Sequence, residues 1–77
     1  MRGWPVIKVS AEQAKKIVEG DYKFTMVSFS LLVTRLKRVY SESPTGLTLK
    51  TCMSDLNFYL EKHGTFMPRD VKIIQGI

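Results

Sequence analysis

The stretch from residue 27 to residue 41 constrains the fold more than any other part of the chain. Its apolar residues recur at the spacing of an α-helix, about 100° apart, and its polar residues fall on the opposite side. A long strand is the competing interpretation, but both faces of that strand would mix apolar with charged residues beyond Val33. The pattern therefore predicts an amphipathic helix over 27–41, whose apolar side comprises Phe29, Leu32, Val33, Leu36, Val39 and Tyr40.

A short helix is predicted before this stretch, over residues 11–19. Ser10 precedes it and Gln13 stands three residues later, which is the pattern of a capping box. Gly20 follows it, and glycine is the usual residue for the left-handed position at which many helices end. The local signals therefore define both ends of this helix.

A third helix is predicted over residues 49–63. Thr48 is a suitable N-cap residue, and Gly64 follows the last helical position. A turn separates this helix from the second one, because proline and glycine stand close together in residues 43–46. We therefore expect the second and third helices to form an antiparallel hairpin.

The two ends of the chain favour β-strands. Residues 5–9 begin with a proline, which is tolerated where a strand starts, and residues 71–76 are rich in β-branched side chains. Residues 21–25 alternate polar with aromatic side chains, which is typical of a short strand or of an extended linker. We therefore expect an α+β fold with three helices (about 11–19, 27–41 and 49–63) and a small sheet from the terminal strands (about 5–9 and 71–76).

The composition indicates one small basic domain, residues 1–77. A chain of 77 residues suffices for one domain and not two, and 12 Lys and Arg against 7 Asp and Glu give a net charge of +5. The single cysteine excludes a disulfide-stapled secreted miniprotein and fits a reducing compartment. We find no secretory leader and no membrane-spanning stretch, so we expect a cytoplasmic protein without a membrane partner.

Motifs for catalysis or metal binding are missing from the sequence. The only cysteine and the only histidine, Cys52 and His63, lie about 16 Å apart on one predicted helix, too far for a nucleophile and its base. A core thiol and a helix-end imidazole are the simpler interpretation. The remaining residues offer neither a zinc ligand set nor a phosphate-binding glycine loop. We therefore expect a non-catalytic binding or regulatory protein without a cofactor. A small enzyme that works only as an oligomer is an alternative to the two binding hypotheses below.

Basic residues without acidic neighbours mark the second helix. Arg35 and Arg38 project together and Lys37 lies further round, which is the kind of cluster that contacts phosphates. The alternative is that these charges only solvate the outer side of the helix. A standard helix–turn–helix protein is disfavoured by a long turn, residues 42–47, and by two acids on the third helix. The first hypothesis is therefore association with nucleic acid through Arg35, Lys37, Arg38, Lys15 and Lys16.

Two bulky apolar residues fall on the polar sides of predicted helices. Leu31 points away from Phe29, and Phe58 points away from Leu56. Residues of this kind are often covered by something else, here the terminal strands, a second copy of the chain or a different protein. The second hypothesis is therefore a protein-interaction module (an inhibitor, adaptor or assembly factor) with Leu31 and Phe58 at its interface. Its partner would be an acidic protein, or a second copy in a homodimer.

Overall fold

Helices alone make up the regular secondary structure of the residues that the structure describes, which are residues 7–63 and 68–77 of this computed structural model. The three predicted helices are confirmed. The predicted α+β fold class is wrong, because the described residues contain no strand and a fourth helix stands in place of the second terminal strand. In chain order the helices are α1 (Ala11–Glu19), α2 (Val27–Glu42), α3 (Gly46–Lys62) and α4 (Pro68–Gly76).

The predicted strand over residues 71–76 is part of helix α4. Pro68 is the first residue of this helix, where the fixed φ of proline suits the helix and the missing N–H costs nothing. Asp70 and Ile74, four residues apart, are both buried, so the segment buries a helical stripe rather than alternate residues. The β-branched residues suggested a strand because β propensity describes a preference for packed surfaces and depends strongly on context.

The predicted strand over residues 5–9 forms no sheet in its described part, residues 7–9. Pro5 and Val6 lie outside the described residues. The Val9 amide donates to Asn57 Oδ1 at 2.8 Å, and Asn57 Nδ2 donates to the Val9 carbonyl oxygen at 3.0 Å. One side-chain amide thus satisfies both backbone groups of Val9, which a neighbouring strand would otherwise have satisfied.

Helix α1 has the predicted bounds, but the conformation of the glycine that follows it differs from the prediction. Gln13 N donates to Ser10 Oγ at 3.2 Å and Ser10 N donates to Gln13 Oε1 at 2.8 Å, which confirms the capping box. Gly20 is extended (φ −86°, ψ −176°), so the predicted left-handed conformation is wrong. A Cβ atom at Gly20 would stand 2.7 Å from the Lys16 carbonyl oxygen and 2.7 Å from the Tyr22 ring. This position therefore requires glycine for space and not for its φ angle.

Helices α2 and α3 form the predicted hairpin, with a shorter connection than expected. Thr45, and not Thr48, is the N-cap of α3, because Thr45 Oγ1 accepts a hydrogen bond from the Thr48 amide at 3.1 Å. Helix α3 consequently begins at Gly46, and only residues 43–45 connect the two helices. The predicted end of this helix at Gly64 lies outside the described residues.

Contacts along the hairpin fix its register. The hydroxyl groups of Ser28 and Tyr59 share a hydrogen bond, and further along α2 the Cys52 thiol donates to the Leu36 carbonyl oxygen at 3.9 Å. Later residues of α2 therefore meet earlier residues of α3, and the helices pack side by side. The two helices of a helix–turn–helix instead cross at roughly 90–120°. The side-by-side packing therefore disfavours a helix–turn–helix DNA-binding protein, although the connection between the helices is short enough for one.

The core lies between α1 and the inner side of the hairpin. Residues 21–25 form a linker without regular structure, and this linker separates its two aromatic residues. Phe24 is buried edge-on against the Phe29 ring, with 4.8 Å between centroids, whereas Tyr22 is exposed. Because α1 covers the inner side of the hairpin, the opposite side faces solvent. The buried apolar residues are Val9, Ala14, Ile17, Val18, Phe24, Phe29, Val33, Leu36, Cys52, Leu56, Leu60 and Ile74.

Candidate interaction surface

Two stripes of side chains run along the side of the hairpin that faces away from α1. Within each stripe the residues stand three or four positions apart, so they project from the same side of their helix. Arg35 of α2 and Asp55 of α3 connect the stripes, with 3.8 Å between Nη2 and Oδ2. We call this surface the outer face. It consists of Val27, Leu31, Arg35, Arg38 and Glu42 on α2 and of Leu47, Thr51, Asp55, Phe58 and Lys62 on α3.

Large apolar side chains are exposed at both ends of the outer face. Val27 is 71% exposed, Leu31 66% and Phe58 63% at one end, and Leu47 is 78% exposed at the other end. Leu31 precedes Arg35 by four residues, and Phe58 follows Asp55 by three. Because the helices are antiparallel, Leu31 and Phe58 lie on the same side of the ion pair, about 6 Å and about 4.5 Å from it along the hairpin. The two predicted interface residues thus share one surface.

Phe58 is partly screened by a neighbouring cation. The Lys62 Nζ atom lies 5.5 Å from the centroid of the Phe58 ring. A cation–π contact at an exposed site contributes about 0.5–1 kcal/mol, so the lysine is easily displaced by a partner. The aromatic ring therefore remains accessible.

The two arginines of the outer face each stand beside an acid. The Arg35 side chain is 67% exposed beside Asp55, and Arg38 Nε lies 4.0 Å from Glu42 Oε2 with 84% of its side chain exposed. Ion pairs this exposed are worth about 0–1 kcal/mol. The arginines therefore keep their capacity to bind another group, although the positive potential around them is weaker than the sequence suggested.

The other predicted nucleic-acid-binding residues lie elsewhere. The Lys37 ammonium group turns towards the end of α1 and donates to the Gly20 carbonyl oxygen. Lys15 and Lys16 are exposed on α1, which packs against the inner side of the hairpin. The structure thus groups Arg35 and Arg38 with Leu31 and Phe58, and it does not bring Lys15, Lys16 or Lys37 into that surface.

An open groove runs beside Lys37, between α1 and the second half of α2. Its volume is about 560 Å³. Two of the predicted nucleic-acid-binding residues, Lys37 and Arg38, line this groove together with the Glu19 carboxylate, which partly offsets their positive charge. The lining residues are Val18, Glu19, Lys37, Arg38, Tyr40, Ser41 and Pro44.

Cys52 and His63 occupy separate environments. Cys52 is completely buried, and burial raises the pKa of its thiol, with the negative charge of Asp55 adding to the rise. The His63 ring is stacked on the Tyr59 ring, with 4.0 Å between centroids. The core thiol and the helix-end imidazole are therefore confirmed. Within residues 7–63 and 68–77, no group of three His, Cys, Asp or Glu side chains is placed to hold a metal ion.

Sequence reasoning missed the place of Leu47 on the outer face. Leu47 was assigned to the turn, because the helix was expected to start after Thr48. The signal that could have found it is Thr45, which is as good an N-cap as Thr48 and places Leu47 on the helix. The contact between Asp55 and Arg35 was also missed, because it depends on the hairpin register.

No family model, curated protein or solved structure matches this chain. None of the helices formed by the described residues has both the length and the apolar character needed to cross a membrane. What can be proposed about function therefore depends on the geometry of the outer face.

Proposed function

We propose that this chain is a non-catalytic protein-interaction module that binds its partner through the outer face of the hairpin. The observation that supports this most is that four large apolar side chains, 63–78% exposed, share one surface with two arginines. Aromatic residues and arginine are enriched in protein interfaces, and clustered exposed apolar residues typically mark binding sites.

The apolar and charged residues of the outer face indicate what kind of partner surface would be complementary to it. Val27, Leu31 and Phe58 offer an apolar anchor at one end, and Arg35 with Asp55 offers both signs of charge beside it. A partner that fits this arrangement presents apolar side chains next to a charged pair of its own. A nucleic acid duplex fits this arrangement less well, because its phosphates and sugars offer little apolar surface to cover Leu31 and Phe58 and would meet the carboxylate of Asp55.

A photo-crosslinking amino acid at position 58 tests the proposal. Benzoylphenylalanine replaces Phe58 with a similar ring, and the same substitution at the exposed Tyr22 is the matched control outside the outer face. In the cell that makes the chain, we expect protein adducts from position 58 and few from position 22. Nuclease-sensitive adducts, or equal yields at both positions, would contradict the proposal.

Nucleic-acid binding is the second candidate, favoured by the net charge of +5 and by the exposure of Lys15, Lys16 and Arg38. A labelled DNA duplex and an RNA strand, titrated at low and near-physiological salt, test it. Micromolar binding that weakens steeply with salt, and that is lost when Arg35 and Arg38 are both changed to Glu, would favour this candidate. Binding that survives the double change would remove Arg35 and Arg38 from the site.

A further inference from the structure

We propose that the occupant of the outer face is a second copy of this chain, related by a two-fold axis that runs parallel to the hairpin. This inference rests on the proposed function, because it names the partner of the same surface. In this arrangement α2 of each copy lies over α3 of the other copy, giving four helices in two layers.

The two middle levels of the hairpin make that part of the outer face complementary to itself. A two-fold axis parallel to the hairpin preserves the level of each residue and exchanges α2 with α3. Leu31 and Phe58 share one level, so Leu31 of each copy meets Phe58 of the other copy. Arg35 and Asp55 share the next level, so each arginine meets the carboxylate of the other copy as well as its own.

An axis perpendicular to the hairpin does not match the residues in this way. An axis that crosses the middle of α2 would lay α2 over α2 in opposite directions, with Leu31 opposite Arg38 and Val27 opposite Glu42. Apolar side chains would then face charged ones at both places, which leaves the charges without partners. The parallel axis also places charged residues over apolar ones at the two ends, Lys62 over Val27 and Glu42 over Leu47. At the middle levels, however, it places Leu31 over Phe58 and Arg35 over Asp55, which favours this axis.

The charge of the outer face permits two copies to approach. The chain as a whole carries +5, which would repel a second copy if the basic residues met. The outer face holds three basic residues (Arg35, Arg38 and Lys62) against two acidic ones (Glu42 and Asp55). It is therefore close to neutral, and the remaining excess of positive charge lies on other parts of the chain.

Sedimentation equilibrium over micromolar to millimolar concentrations measures the association. We expect a reversible monomer–dimer equilibrium for the unmodified chain, and at least about tenfold weaker dimerisation for Leu31→Asp, because a central apolar anchor is lost. Ala11→Asp is the matched control, since it places the same charge at an exposed helical position of α1. Circular dichroism shows whether each variant keeps its helices.

A charge exchange between two variants tests the predicted cross-contacts. Arg35→Glu gives a chain with acids at both position 35 and position 55. Asp55→Arg gives a chain with bases at both positions. Each variant alone is expected to dimerise more weakly, because like charges face each other across the axis. When the two variants are mixed, the new glutamate of the first variant faces the new arginine of the second. The unchanged Arg35 of the second variant likewise faces the unchanged Asp55 of the first, so a heterodimer should form in preference to either homodimer. The like-charged pair within each chain is unchanged by mixing, so only contacts between chains can produce this rescue.

The outcomes separate this inference from the proposed function. A strict monomer at millimolar concentration, or a dimer whose charge variants show no preference for each other, would overturn the inference. If position 58 then still crosslinks to a different protein, the proposed function stands with another occupant. If it crosslinks to no protein, both fail.

Discussion

Changing Asp70 to Ala should destabilise the fold more than any other single loss of a carboxylate. Asp70 is completely buried, and its oxygens accept hydrogen bonds from the Thr25 amide at 2.8 Å and the Met26 amide at 3.0 Å. Helix α2 begins directly after Met26, which has no capping side chain of its own. The Asp70 carboxylate on α4 therefore acts as a cap for the N-terminus of α2, where the helix dipole also favours a negative charge.

The expected cost follows from these two bonds. Each hydrogen bond to a charged group is worth about 1.5–3 kcal/mol, and we take the lower end of the range because Thr25 is exposed to water. The free energy of unfolding should fall by about 3 kcal/mol, which lowers Tm by roughly 12–24 °C for a domain of this size. Asp70→Asn keeps one acceptor and should lose about half as much.

Urea denaturation followed by circular dichroism measures these losses. The matched control is Asp55→Ala, which removes a half-exposed carboxylate that pairs with Arg35 and should cost less than about 1 kcal/mol. If Asp70→Ala were no more damaging than Asp55→Ala, the idea that α4 is held through this carboxylate would be refuted.

Three further changes test other contacts. Asn57→Ala should lower the free energy of unfolding by about 2 kcal/mol and speed hydrogen exchange at the Val9 amide. Asn57→Asp keeps the acceptor and should protect that amide. Unchanged exchange in Asn57→Ala would disprove the contact. Gly20→Ala should lower the urea midpoint by an amount equivalent to about 1–3 kcal/mol, because the new Cβ meets the Lys16 carbonyl oxygen, whereas a stabilised variant would show that the space exists. Because burial raises the pKa of the Cys52 thiol, the unfolded chain ionises first, and stability should fall at alkaline pH more steeply for the natural chain than for Cys52→Ala; equal slopes would contradict this.

Local signals in the sequence were enough to predict the first three helices. The capping box of Ser10 and Gln13 and the apolar stripe of α2 act within a few residues of one another, so they can be read without the tertiary structure. The terminal segments were predicted wrongly because distant residues determine them. Asp70 is bonded 44 and 45 positions away, and Asn57 is bonded to Val9 at a separation of 48. No propensity scale contains such contacts.

The outer face could likewise be predicted only in part, because some of its features are local and others depend on distant contacts. Helical periodicity predicted that Leu31 and Phe58 point out of the core, and both are exposed. That Arg35 meets Asp55, and that Leu31 and Phe58 lie at one level, depends on the register of the hairpin. The register is set by the three-residue connection and by contacts such as that between Ser28 and Tyr59, which the sequence alone did not reveal.

In the proposed dimer, the outer face of this chain meets the outer face of a second copy. The most direct measurement is a dilution series of amide ¹H–¹⁵N NMR spectra of the unmodified chain. Concentration-dependent shifts should cluster on the outer face, around Leu31, Arg35, Asp55 and Phe58, and should be small for Lys15 and Lys16 on α1. Shifts that cluster on α1, or unchanged spectra from a chain that sediments as a monomer, would contradict this arrangement.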